Sequence, residues 1–596
     1  MNQLRKILRL SMILSTVISA GITNAQTAMV NFESRNSTSL NGKWKIMLDQ
    51  GNIGDWKKFW IEPKPEKKTD FFEYSFDGAP ELNVPGDFNS QLCELTFYEG
   101  TVWYKKKVTV LKQKNSRQFL YFGAVNYIAD VYLNEEKLGS HEGGFTPFQF
   151  EVTDKLKDGD NTIIIKVDNR RLGNGIPGYG YDWLNYGGIT RDVEIIQTQR
   201  TYIHDYFIQL KKGSLNDVSG WIQLNGEKPN QKITVRIPEL NIVYRTKTNN
   251  SGYAKLEFSS QFKLWSPETP KLYKVIVESE TDSIVDEIGF RSIETKGSEI
   301  LLNKKPVFLK AVNIHEENPM KKARAFSLED VRILLNSAKE LGCNMVRLAH
   351  YPHSENMIKE AEKMGLMVWS ELPVYQHIKF DDSLVPQKIE LMLQEMISRD
   401  KNRCGVVIWS LSNETYSGTP NRDKALIDLT KKCREIDPAR LVTHVINTQG
   451  YTNNSFNVWD PLYNYSDLIA INEYIGWYIP WQGKPSEVKW KIDFSNKPVF
   501  ISEFGGEALY GNRNDPPDQA SSWSEQYQEQ IYKNQIEMFN TIPNLSGVCP
   551  WILYDYRSLG RMNPMYQKGY NRKGLISENG EKKKAWYIMN EYYKNN

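Results

Sequence analysis

One stretch constrains the fold more than any other. Val406 to Glu414 reads Val-Val-Ile-Trp-Ser-Leu-Ser-Asn-Glu, an apolar run that ends in Asn413 and Glu414. An unbroken apolar run of that length fits a strand covered on both faces, as in a parallel sheet. Pro498 to Phe504, Pro-Val-Phe-Ile-Ser-Glu-Phe, repeats the design with Glu503 at its end. In barrel enzymes the chemistry sits just past the C-terminal ends of such strands. Both glutamates are therefore candidate working groups.

From Glu299 onward, strand and helix patterns alternate. Strands are predicted at 307–313, 345–349, 367–370, 406–411, 441–445, 468–472, 499–502 and 547–552. Helices are predicted at 327–341, 354–364 and 386–400, the first opening on a Ser-Leu-Glu-Asp capping signal. Eight strands with intervening helices fit a (β/α)8 TIM barrel. The strand ends carry His315 and Glu316, Arg347 and His350, Glu371, Asn413 and Glu414, Asn447, Glu473 with Tyr474 and Tyr478, Glu503, and Trp551 with Asp555. In a barrel these ends converge on one pocket.

Upstream the period changes to the alternation of half-buried strands. Residues 26–199 carry short alternating strands separated by turn residues, the pattern of a jelly-roll β-sandwich. Within them, Gly175 to Arg191 is a loop rich in glycine and aromatic residues. On composition alone it reads as a tight structural loop. Residues 200–295 alternate with fewer aromatics and read as an immunoglobulin-like β-sandwich, a spacer and packing wedge. The expected fold class is thus multidomain, β plus α/β, with the barrel over 296–596. Residues 1–25 read as a cleavable signal peptide: Arg5, Lys6 and Arg9, a short apolar run from Leu10 to Ile22, then small residues. That run is short for a membrane span. The expectation is an exported protein, periplasmic or secreted, with no membrane partner.

Net charge is +3, from 75 Lys+Arg against 72 Asp+Glu, which argues against a nucleic-acid partner. The five cysteines and seven histidines lack metal-ligand spacing, so no metal and no organic cofactor are expected. The 16 Trp and 32 Tyr suit the flat C–H faces of sugars, and equally suit all-β domains. Oligomeric state is not legible, and a homo-oligomer stays open.

Two carboxylates at different strand ends are what glycosidic hydrolysis requires: an acid for the leaving oxygen and a nucleophile or base opposite it. We assign Glu414 as acid/base and Glu503 as nucleophile. Asn413 would bond the sugar 2-hydroxyl, and Arg347 would hold Glu503 ionised. A lone glutamate at a strand end can also cap a helix or join a barrel salt bridge. The pair in this register favours catalysis.

Asn313-Ile-His-Glu, Arg347-Leu-Ala-His-Tyr-Pro, Trp409-Ser-Leu-Ser-Asn-Glu and Ile501-Ser-Glu-Phe-Gly resemble glycoside hydrolase family 2. The resemblance spans nearly the whole chain after residue 25. It implies retaining exo-hydrolysis, with a substrate site that includes His315 and His350. Three further stretches are similar to the family's β-glucuronidases: Asn472-Glu-Tyr-Ile-Gly-Trp-Tyr with Tyr474 and Tyr478, Asp182-Trp-Leu-Asn-Tyr-Gly-Gly-Ile, and Asn571-Arg-Lys-Gly. Asp182 is implied to reach the sugar, and Asn571 and Lys573 to bind a C6 carboxylate. Trp551 is implied to line the site. The implied substrate is a terminal β-glucuronic acid on a glucuronide or an acidic oligosaccharide.

Departures from the pattern are Glu473 in place of an arginine, the Trp551-Ile-Leu-Tyr-Asp run, and Gln567 where an arginine is common. Glu473 is expected to set a negative charge near the site. The polar stretches 512–522 and 557–568 read as substrate-selecting loops. Competing readings are a β-galactosidase with the same machinery and a non-catalytic carbohydrate-binding protein.

Overall fold

The computed structural model describes residues 25–63, 67, 69, 73–448, 450–494, 496–513 and 523–596. The signal-peptide reading falls, but for Ala25, on residues outside this set, as does most of the 512–522 loop.

The C-terminal half closes into an eight-stranded parallel barrel. Its strands are β1 (Leu309–Ile314), β2 (Met345–Leu348), β3 (Met367–Glu371), β4 (Val406–Asn413), β5 (Leu441–Asn447), β6 (Ile469–Asn472), β7 (Val499–Glu503) and β8 (Leu545–Val548). Every residue of β4 is buried, as the apolar run demands. Helices α1 (Leu328–Leu341) and α2 (Glu355–Lys363) begin at Ser327 and Ser354, whose hydroxyls accept from Asp330 N and Met357 N. Gly342 ends α1 at φ +99°, a conformation that favours glycine. Helix α3 (Val385–Asp400) carries a proline in its first turn.

The last strand departs from the expected 547–552 and stops at Val548. Pro550 has no N–H to give, and regular pairing ends there, although Cys549 N still donates to Ile501 O at 2.8 Å and Asn313 N to Pro550 O at 3.3 Å. The carbonyls of Cys549 and Pro550 are also bonded by the Asn313 side chain, at 3.2 and 3.1 Å.

The barrel interior is graded. Its lower part is apolar, with Met345, Met367, Trp369, Val407 and Phe500 packed together. The hairpin of Ile293–Lys296 and Glu299–Leu302 closes that end through Ile293, Ile300 and Leu302. Its first strand spans the 295–296 boundary drawn from sequence. Toward the C-terminal ends the interior turns polar, and there the site lies.

The N-terminal sandwich stacks a five-stranded on a six-stranded antiparallel sheet around a core that includes Trp44, Phe88, Phe122 and Phe148. Residues 201–288 form a three-stranded and a four-stranded sheet around a second core. Both domains dock on the barrel through buried polar groups. Glu395 of α3 accepts from Thr146 at 2.6 Å and meets His141 Nε2 at 3.0 Å. Asn402, between α3 and β4, accepts from Ile208 N at 2.9 Å and donates to Tyr206 O at 2.9 Å. Arg291 donates to the Cys404 and Val406 carbonyls. The chain entering β4 is thereby clamped from outside the barrel.

Candidate active site

Arg347, fully buried on β2, ties the strand ends together. Its Nη1 donates to Glu503 Oε1 at 2.7 Å and to Asn313 Oδ1 at 3.0 Å. Nε and Nη2 each donate to the Glu371 carboxylate at 3.0 Å, and Nη2 also donates to Asn413 Oδ1 at 2.9 Å. Burial works against this guanidinium's charge, but Glu371 and Glu503 outweigh it and its pKa ends above the ordinary value. Burial likewise opposes ionisation of Glu371, and Arg347 reverses the balance.

Glu503 sits at the end of β7. Besides Arg347 it accepts from Tyr474 OH at 2.8 Å, and His350 Nε2 stands 3.7 Å from it. Glu414 follows β4 directly. The β4–β5 register shifts between Ser410 and Asn413, and Glu414 takes a left-handed φ of 54°. Such irregularities re-aim side chains at strand ends. Its partners are neutral amides: Asn472 donates to Oε1 and Gln376 to Oε2, both at 2.8 Å. Burial first, and then the charge of Glu503, raises the Glu414 pKa above the ordinary carboxyl range. One carboxylate is therefore held by a guanidinium, and its neighbour is biased toward the protonated form.

The cavity between them holds about 320 Å³ and is walled by Asp182, Trp183, His350, Tyr375, Gln376, Glu414, Asn447, Tyr474, Tyr478, Glu503, Trp551, Tyr556, Arg561, Asn571 and Lys573. The ring of Trp551 stacks on His350 with centroids 4.7 Å apart. Away from the two glutamates, a charged cluster forms one part of the wall. Arg561 Nη2 donates to Asp182 Oδ2 at 2.5 Å, and its Nη1 donates to Glu507 Oε1 at 3.3 Å. Lys573 Nζ donates to Tyr478 OH at 2.8 Å and stands 3.4 Å from Glu507 Oε1. Asn571 donates to Asp182 Oδ2 at 3.2 Å. Burial opposes the charge of Glu507, but Lys573 and then Arg561 bring its pKa below the ordinary value.

Nine of the twelve residues predicted from sequence stand in this wall: Glu414, Glu503, Asp182, His350, Tyr474, Tyr478, Trp551, Asn571 and Lys573. The other three, Arg347, His315 and Asn413, stand just behind the wall. Arg347 acts through Glu503 and Glu371. His315 is buried among Trp183, His350, Trp551 and Tyr556, with Tyr351 OH 3.2 Å from Nδ1. Burial first, then neighbouring cations, push its pKa well below the usual histidine value. Asn413 is 1 % exposed. Its Oδ1 accepts from Arg347 and Asn472, so its amide is oriented with Nδ2 unpartnered.

Two expectations are corrected. The 175–191 loop is not merely structural, since Asp182 and Trp183 reach the cavity from it. Glu473 sets no negative charge in the cavity: it is buried outside the wall, and burial pushes its pKa up to about 8. Its Oε2 accepts from Ile475 N at 3.0 Å.

Sequence reasoning missed Tyr375, Gln376, Tyr556, Arg561 and Glu507. The first two lie past the polar end of β3, a position that could have suggested them. Arg561 lies inside the 557–568 loop, with no pattern to mark it. Gln567, where the resemblance led to the expectation of an arginine, donates to Glu507 at 2.9 Å, the carboxylate that Arg561 also meets. Among the described residues no cluster of His, Cys, Asp and Glu could hold a metal ion.

A barrel carrying paired carboxylates at strand ends, behind two β-sandwiches, defines a multidomain glycoside hydrolase. The profile of the TIM barrel domain of glycosyl hydrolases family 2 matches residues 293–595, that family's sugar binding domain matches 37–199, and a third profile of the family matches 201–291. The chain belongs to glycosyl hydrolases family 2. It is 26% identical to a beta-glucuronidase of Streptococcus agalactiae, over 94% of this chain and 98% of that one. The beta-glucuronidase of Rattus norvegicus is 27% identical over 94% of this chain and 91% of its own. Among solved structures, a beta-glucuronidase of an uncultured Clostridium superposes with a TM-score of 0.81 at 25% identity, covering 96% of this chain and all of that one.

Proposed function

We propose that the protein is an exported, retaining exo-β-glucuronidase that removes terminal β-D-glucuronic acid from glucuronides or acidic oligosaccharides. The observation that carries the substrate reading is the cluster opposite the carboxylate pair. Arg561, Lys573 and Asn571 offer donors where a C6 carboxylate would lie, and charge-assisted bonds to a carboxylate are stronger than those to a hydroxyl. The relatives named beta-glucuronidase support it.

Glu503 attacks the anomeric carbon, and Glu414 gives its proton to the departing glycosidic oxygen. The covalent glycosyl-enzyme then reacts with water that Glu414, now ionised, deprotonates. Asn413 offers its free Nδ2–H to the 2-hydroxyl. Arg347 and Tyr474 donate to Glu503 and aim it. No step calls for a cofactor.

The β-galactosidase reading draws on one observation: both cations already face carboxylates, Asp182 and Glu507. A 2-fluoro glucuronosyl fluoride separates the two readings. Stoichiometric inactivation with the label on the peptide containing Glu503 is expected. Labelling only by the galactosyl analogue would favour the alternative, and a label elsewhere would overturn the nucleophile assignment.

A further inference from the structure

The carboxylate pair and the charged cluster account for the sugar that is cleaved. The group being released must leave past the acid, and the structure carries a second surface there. Gln376, which bonds Glu414 Oε2, is followed by His377. Two residues beyond Glu414 stands Tyr416, 61% exposed although aromatic. Its hydroxyl lies 3.1 Å from His377 Nε2, and the two rings meet edge to face at 5.0 Å. The hydroxyl is thus tethered while the ring stays open to solvent.

The jelly roll completes the arrangement. Any side-chain carbon at Gly178 would run into the His377 carbonyl oxygen, and one at Gly180 would come 2.9 Å from the His377 ring. Glycine at both positions lets the 175–191 loop seat directly on His377 and fix it from behind. Asn447, exposed at the end of β5, and the Gln376 amide add polar groups to the cavity wall on the Glu414 side.

We infer that Tyr416, held by His377, is the platform of an aglycone subsite that takes a pyranose ring. Resting on the reading of Glu414 as the acid, the assignment follows from chemistry: a tethered aromatic face with amides beside it suits a ring with one C–H face and hydroxyls at its edge. A flat apolar aglycone would call for apolar walls. The natural leaving group is then a sugar, and the substrate an oligosaccharide.

The test compares kcat/KM for three substrates with one terminal sugar: a uronosyl-β-hexose disaccharide, the methyl glycoside and the phenyl glycoside. Wild type is set against Tyr416→Ala, whose parent side chain is exposed enough to spare folding. Comparing variant with wild type cancels the intrinsic reactivity of each leaving group. The disaccharide-to-methyl ratio should fall about tenfold in Tyr416→Ala, the scale of burying one C–H face. It should fall by a smaller factor in His377→Ala, which only frees the platform. A ratio within about twofold of wild type in Tyr416→Ala overturns the subsite. A fall confined to the phenyl-to-methyl ratio overturns the pyranose assignment. If only the galactoside series is turned over, the terminal-sugar reading fails, and the same ratio within that series still decides on Tyr416.

Discussion

Glu414 and Glu503 share a cavity but not an environment. Arg347 and Tyr474 stabilise charge on Glu503, whereas Glu414 has only the amides of Asn472 and Gln376. Two carboxyls in surroundings this different divide into acid and nucleophile. An acid works while protonated, and the Glu414 pKa is raised, so the alkaline limb of kcat/KM should lie above the ordinary glutamate value. Removing the second cause, the Glu503 charge, in Glu503→Gln should move Glu414 downward, though burial remains. Carboxyl infrared or ¹³C titration reads this shift, and an unchanged titration would contradict the coupling. Glu414→Gln should cost about 10² to 10⁴ in kcat/KM on glycosides with poor leaving groups and much less on activated aryl glycosides. Equal losses on both would remove Glu414 from the acid role. Both glutamates were legible in the sequence because each follows an apolar strand, a local pattern. Arg561 was not, since its partner Asp182 is 379 residues away in the chain.

At the scale of elements, what was legible is what repeats. Seven of the eight strands lie within a few residues of their expected spans, and Ser327 and Ser354 announced two helix starts. The eighth ended early because Pro550 breaks the ladder, a signal present in the sequence but outweighed by the apolar run around it. Loop conformation carried no period to read, so the reach of the 175–191 loop was accessible only through the resemblance carried by Asp182, and the role of Gln376 not at all. Asn402 belongs to this scale: its side chain satisfies one N–H and one C=O of the 201–210 strand. Asn402→Ala leaves both buried and unpaired, at a cost of about 1–3 kcal/mol. Denaturant unfolding should show that loss, with kcat/KM nearly intact because the clamp lies at the lower end of β4. A stability equal to wild type would mean the interface does not depend on this side chain.

The whole molecule places a small polar cavity above an apolar barrel floor and backs it with two sandwiches. The buried Glu473 should write itself into global stability. Its folded pKa of about 8 lies above the unfolded value, so its contribution is fully present below about pH 4.5 and is lost as pH rises to 8. Glu473→Gln removes that loss. Its advantage over wild type in chemical unfolding should grow across this window and stay level above it; a constant difference would contradict a buried neutral acid. Domain order was legible from the change of period along the chain, since strand alternation and the strand–helix repeat are both local. Substrate identity was legible only through the family resemblance of the Asp182, Asn571 and Lys573 stretches and not from spacing, because it rests on a cluster assembled from the jelly-roll loop, the end of β7 and the C-terminal loops. The most direct test of that cluster is kcat/KM on aryl β-glucuronide against aryl β-galactoside, in wild type and in Lys573→Ala. Wild type is expected to prefer the glucuronide by at least about tenfold, and the variant to lose most of this preference, the scale of one charge-assisted bond. A galactoside preference in wild type, or an equal loss on both substrates in Lys573→Ala, would contradict it.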